Sequence, residues 1–173
     1  MSDEKMKDSE IEIGEMKNSQ HKIELCAVSN GEVLSIENVP DKVFAQRMIG
    51  DGFAVKPTSQ SVVAPVSGKL IEVADAKHAY YIETEEGVKI LIHVGINTLL
   101  LNGEGFSTKL EKGDKVEKGK TLVDFDEELI IKKGYNPIIS VIVLDNEDVQ
   151  MTQKVFPAKE VIAGKTIAME INF

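Results

Sequence analysis

The sequence predicts an all-β fold, a sandwich or barrel with short helical turns, built as one compact domain. Three observations lead there. From Ile23 onward, short β-prone runs are punctuated by Gly, Pro, Asn and Asp, the pattern expected of such folds. Only one stretch, Lys42 to Met48, carries a convincing helical signal. At 173 residues, 42% of them hydrophobic and 28% charged, the chain is long enough to bury one substantial core.

Residues 1–21 read as a disordered acidic tail. They carry six acids (Asp3, Glu4, Asp8, Glu10, Glu12, Glu15) and three lysines (Lys5, Lys7, Lys17) with no sustained apolar period. His21 at the end of the tail has no evident role. Residues 22–173 are expected to form the domain. Within it, Ile23 to Val28 turns through Ser29-Asn30-Gly31 into Glu32 to Ile36, a hairpin-like signal. Pro40-Asp41 opens the helical piece, with Asp41 as its N-cap, and Gly50-Asp51-Gly52 stops it. Phe53 to Lys56, Ser61 to Val66 and Lys69 to Ala74 read as strands, separated at Pro57 and at Ser67-Gly68. His78 to Glu83 and Val88 to Val94 are two more, joined through Thr84-Glu85-Glu86-Gly87. Further strands are expected at Lys115-Val116, Thr121 to Phe125, Ile138 to Leu144 and Thr166 to Ile171.

Charge and composition exclude several classes of function. A net charge of −9 opposes binding to nucleic acid or to an anionic membrane, and it favours partners with a basic face. No run of eighteen apolar residues occurs. Met1 to Lys5 lacks the basic and apolar segments of a signal peptide, so a cytoplasmic protein without membrane insertion is expected. The lone Cys26 offers no disulfide framework and reads as a small buried strand residue.

Two histidines stand out because a titratable nitrogen in an apolar strand is costly unless it is paired or used. His93 lies inside the apolar run Gly87 to Leu99, and His78 lies upstream. If they share an antiparallel hairpin with a two-residue loop at Glu85-Glu86, they face each other with α-carbons about 4.5 to 5.5 Å apart. A three-residue loop ending on Gly87 suits the residues better, since Gly accepts the left-handed position. It would set His78 opposite Val94 and require a compensating bulge to bring both rings to one face. A histidine pair on an apolar β surface can carry a phosphoryl group: a neutral imidazole is a good nucleophile, its neighbour can donate to phosphoryl oxygens, and apolar surroundings exclude water. The same residues are also consistent with two hydrogen-bonded structural histidines.

The chain resembles the glucose-family IIA proteins of the bacterial phosphoenolpyruvate-dependent sugar phosphotransferase system. The resemblance runs from about Glu37 to Val149 and weakly to the C-terminus, and is carried by Asp41-Lys-Val-Phe44-Ala, Gly50-Asp-Gly52-Phe-Ala-Val-Lys-Pro57, Val63-Ala-Pro-Val-Ser-Gly68, His78-Ala79, Gly87 to Leu99, Leu101-Asn-Gly-Glu-Gly-Phe106 and Val123-Asp-Phe-Asp126. It implies a mostly antiparallel β-sandwich that serves as a phosphocarrier in sugar uptake. His93 matches the histidine phosphorylated on Nε2 by the histidine-containing phosphocarrier protein, before the group passes to the IIB domain of a glucose-type sugar permease. His78 matches the partner histidine that supports onward transfer. Val43, Phe44, Met48, Ile49, Leu91 and Leu99 fall at the family's apolar rim, and Asp41 matches an acid that meets an arginine of the carrier.

Three positions depart from the family. Asn97 stands where Asp is usual, which implies weaker docking or a different partner surface. Ala76 replaces a frequent Thr, so His78 must be oriented by another group. Ala74 replaces a larger rim residue. The resemblance implies no cofactor; zinc on His78 and His93 is expected only in a regulatory complex.

Other readings fit less of the sequence. A zinc-binding β-sandwich hydrolase lacks His-Glu-x-x-His or a His-x-His pair. A lipoyl-like carrier, suggested by Glu111 to Leu122, lacks the methionine-flanked lysine. A regulatory module that binds target proteins according to the phosphorylation of His93 is compatible with the carrier reading.

Overall fold

The computed structural model describes residues 22–173; the acidic tail expected over residues 1–21, with His21, lies outside the described residues. An eight-stranded antiparallel sheet forms the larger layer, in the order β13 (Ala158–Val161), β2 (Gly31–Ser35), β3 (Gly50–Pro57), β11 (Asn136–Leu144), β7 (Lys89–Ile96), β6 (Ala79–Glu83), β5 (Gly68–Val73) and β9 (Lys115–Val116). Two three-stranded sheets complete the fold. One runs β1 (Lys22–Cys26), β14 (Ile167–Asn172), β12 (Thr152–Val155), and the other β4 (Ser61–Val63), β10 (Thr121–Phe125), β8 (Phe106–Ser107).

The main core joins these layers. Leu25 of β1, Met169 of β14 and Val62 of β4 meet Phe53, Ile92 and Ile139 of the large sheet, all of them buried. Strand alternation sends neighbouring residues to the opposite face. In β11, Ile139, Val141 and Val143 enter the main core, whereas Ile138 and Ile142 join a second, smaller cluster. In β7, Ile90, Ile92 and Val94 face the main core and Leu91 faces the second. The second cluster lies beneath a 3-10 turn at Ile36–Asn38 and the four-residue helix α1 (Lys42–Ala45), which contribute Ile36 and Phe44.

The expected antiparallel sandwich is present, with local differences. β1 and β2 do not form a hairpin: β1 pairs with β14, and β2 with β3 and β13. The segment between them crosses from one sheet to another, with Cys26 donating to Pro65 O and Ala27 to Thr166 O. The helix ends at Ala45 because Arg47 takes a left-handed φ of +56°. β4 stops at Val63, ahead of Pro65. A second helix, α2 (Glu127–Lys132), follows its N-cap Asp126, whose carboxylate accepts from Leu129 N. Strands β8, β12 and β13 have too few apolar positions in sequence to announce themselves, and the six residues of α2 are too short a run for a helical period to show.

Between β6 and β7 the loop is Glu85-Glu86-Gly87, with Gly87 at φ +87° and its N–H donating to Thr84 O. The pairing sets Ala79 opposite His93 without irregularity, so the three-residue loop determines the register.

Ile139→Ala, at a fully buried main-core position, should cost about 2–5 kcal/mol in urea unfolding. The exposed control Ile162→Ala should change stability by less than about 0.5 kcal/mol.

Candidate functional site

His93 lies near the middle of β7, flanked by Ser140 on β11 and Ala79 on β6. Cross-strand partners project to one side, so these small neighbours leave room beside the imidazole on the face that α1 covers. Phe44 of α1 meets the His93 ring edge-on, with centroids 5.1 Å apart and planes at 69°. His78 meets it from another side at 5.0 Å and 85°.

The two histidines therefore come together without the bulge that the register argument required. His78 sits one residue ahead of β6, outside the strict alternation of the strand. Lys77 just before it has φ +62°, with its N–H bonded to Ala74 O and its carbonyl accepting from the Tyr80 hydroxyl at 2.9 Å. This turn sets the direction of the backbone at His78, whose carbonyl accepts from Val94 N at 2.7 Å.

Tautomer and charge follow from the surroundings. His93 Nδ1 lies 2.8 Å from Gly95 O, and a carbonyl can only accept. Nδ1 thus carries the proton in the neutral ring, leaving a lone pair on Nε2. Gly95 is required for this arrangement: its φ is +82°, and a Cβ there would lie 2.4 Å from Thr98 Cγ2. Burial lowers the His93 pKa, opposed by the Gly95 hydrogen bond and by the charge of Asp41. His78, only 7% exposed, is lowered to about 4 by burial first and by His93 second. Burial thus favours the neutral form of both rings, which leaves a lone pair on His93 Nε2 for nucleophilic attack and one N–H on His78. His78 Nδ1 is buried without a hydrogen-bond partner, with Ala76 two residues away offering no polar side chain.

Asp41 acts locally. Its Oδ1 accepts from Val43 N at 2.9 Å and Phe44 N at 3.2 Å, capping α1 and thereby holding Phe44 against His93. The rim residues divide. Val43, Met48 and Leu99 are exposed at 42%, 61% and 57%, whereas Phe44 and Leu91 are buried in the second cluster and Ile49 is half-buried against it. Asn97 is exposed with a left-handed φ of +61° and makes no side-chain capping bond. Leu100, exposed at 65%, adds to the apolar surface and was not singled out by sequence. Ser140 and the Gly95 carbonyl were also missed: a backbone acceptor has no side-chain signature, and a serine within Ile138 to Leu144 reads as an interruption of a strand. Among the described residues, no group of three or more His, Cys, Asp or Glu is placed to hold a metal, which leaves the hydrolase reading without a ligand set.

The chain is similar in sequence and fold to known proteins. The model of the phosphoenolpyruvate-dependent sugar phosphotransferase system family EIIA 1 matches residues 23–149. A glucose-specific EIIA component from Halalkalibacterium halodurans is 43% identical over 143 residues, covering 83% of this chain and 82% of that protein. One from Haemophilus influenzae is 33% identical over 159 residues, covering 92% and 95%. The solved glucose permease IIA from Mycoplasma capricolum superposes with a TM-score of 0.79 at 35% identity, over 86% of this chain and 95% of that one. Fold and sequence define a class, the phosphotransfer carriers that serve sugar uptake. Within that class, the chain belongs to the EIIA 1 family of the phosphoenolpyruvate-dependent sugar phosphotransferase system.

Asp41→Asn should keep the cap yet move the His93 pKa further down, measurable by NMR titration, because the charge that opposes burial is gone. Asp41→Ala should do the same and lose about 1 kcal/mol of stability as well.

A pH dependence also follows. The folded pKa of His78 lies below its unfolded value of 6.5, so the unfolded state binds the proton first. The stability that comes from keeping His78 neutral is full above pH 6.5 and is lost as pH falls toward 4. By pH 5 the loss should reach about 2 kcal/mol. Urea unfolding between pH 7 and 5 should show this slope in the wild type and a flatter one in His78→Gln.

Proposed function

We propose that His93 accepts a phosphoryl group on Nε2 from the histidine-containing phosphocarrier protein and passes it to the IIB domain of a glucose-type sugar permease. The observation that carries this reading is the Nδ1 hydrogen bond to Gly95 O, which fixes the tautomer with a free Nε2 lone pair. As the bond between phosphorus and the donor nitrogen breaks, the Nε2–P bond forms and Nδ1 keeps its proton. His78, with no acceptor at Nδ1, carries its proton on Nε2 and donates it to a phosphoryl oxygen. That donation holds the group and steadies it for departure.

Transfer between two histidines needs alignment and dryness and no cofactor. Val43, Met48 and Leu99 form the apolar docking rim, with Phe44, Leu91 and Ile49 supporting it from beneath. Asp41 receives a basic residue of the carrier, and Asn97 offers an amide in place of a second charge. Residues 22–173 act as one carrier domain in the cytoplasm. No helix among the described residues is long and apolar enough to cross a membrane. The relatives' description as glucose-specific supports a glucose-type permease as the recipient.

Labelling from phosphoenolpyruvate with purified general phosphotransferase proteins tests the assignment. His93→Gln should take up no label, and label on that variant would sink the assignment. His78→Gln should still be labelled, with delivery to a IIB domain reduced by about 100-fold or more.

A further inference from the structure

Ser140 is fully buried, and its Oγ has no hydrogen-bond partner. It sits at the centre of the large sheet, where Ala54, Ser140, His93 and Ala79 stand side by side across β3, β11, β7 and β6. Its neighbours along β11 on this face are Ile138 and Ile142. If the position needed only a small side chain, alanine would serve, as it does at positions 54 and 79. A buried hydroxyl without a partner costs free energy, so its presence calls for a state in which it is used.

Resting on the assignment of His93 as the phosphorylated residue, we propose that Ser140 is a positioning residue whose unpaired hydroxyl turns its oxygen toward the His93 ring when that ring becomes cationic on phosphoryl transfer. The transfer supplies the charge. The Nε2 lone pair enters the new bond to phosphorus, the electron pair of the broken bond leaves with the donor nitrogen, and Nδ1 retains its proton. The ring then bears a positive charge in a largely apolar site, where a dipole acts more strongly than in water. Asp41, ahead of α1, and His78, ahead of β6, are the titratable groups that face the ring. Ser140 is the polar side chain beside it within the sheet. Because its hydroxyl is tied to nothing in the resting protein, it can rotate without breaking a bond.

The test compares the full-length wild type with Ser140→Ala, a smaller side chain in a row that already carries alanine at positions 54 and 79. Two quantities are read: the equilibrium fraction phosphorylated against the carrier, and the His93 pKa by NMR. Ser140→Ala should lower the equilibrium constant for phosphorylation about fivefold and move the His93 pKa downward. Its thermal stability should be equal to or above that of the wild type. An unchanged labelling equilibrium with an unchanged pKa would overturn the proposal, as would a loss of labelling that accompanies a fall in stability. Failure of the wild type itself to become labelled would instead refute the assignment of His93.

Discussion

In β7, Leu91 faces the second cluster, while Ile90, Ile92 and Val94 face the main core. The alternation puts His93 on the same side as Leu91, and a slip of one residue would carry the imidazole into the sandwich interior. The register is held from both sides. On one, the three-residue loop ending at Gly87 pairs β7 with β6; on the other, β11 pairs from Ile139 to Val143 without interruption. Every feature of the site depends on that placement. Once His93 points outward, Ala79 and Ser140 leave space around it, α1 roofs it with Phe44, and Gly95 can turn its carbonyl back to Nδ1.

How far the sequence revealed this depends on where the information lies. The strand at the heart of the site was legible because Val88 to Val94 is an apolar run ended by a glycine, and the Asp41 cap because a side-chain acceptor ahead of a helix is a local signal. The meeting of the two histidines was less accessible. Spacing alone allows two registers, and in the one observed regular strand alternation would send residues 78 and 93 to opposite faces. What resolved it was a left-handed lysine, Lys77, a conformation with no sequence signature in a residue that usually avoids it. The β1–β2 hairpin was misread for a related reason: Ser29-Asn30-Gly31 is good turn chemistry, but pairing between distant segments, β1 with β14, decides which sheet a strand joins.

The site also balances opposing demands. A carrier needs a neutral nucleophile, which burial favours, and must then tolerate the charge that the reaction creates, which burial opposes. His78 lies at one extreme, with its pKa lowered to about 4 by its surroundings. His93 is moderated, since the Gly95 hydrogen bond and Asp41 act against its desolvation. The difference suits the proposed roles: one ring stays neutral as a donor, and the other alternates between neutral and charged forms.

In the proposed docking, Asp41 would join this balance to the partner. Both backbone hydrogen bonds of the cap fall on Oδ1, from Val43 and Phe44. Oδ2 accepts no hydrogen bond among the described residues and is free to receive an incoming guanidinium. One carboxylate would therefore hold the helix that positions Phe44, support the charge on His93 and meet the partner. In the proposed docking, with Asn97 in place of a second acid, long-range attraction would fall on Asp41, and the exposed residues Val43, Met48 and Leu99 would carry more of the contact. Apolar contact is not subject to ionic screening, whereas attraction to a two-acid site is. Docking of this chain should thus respond less to ionic strength than docking of a relative that carries aspartate at the position of Asn97.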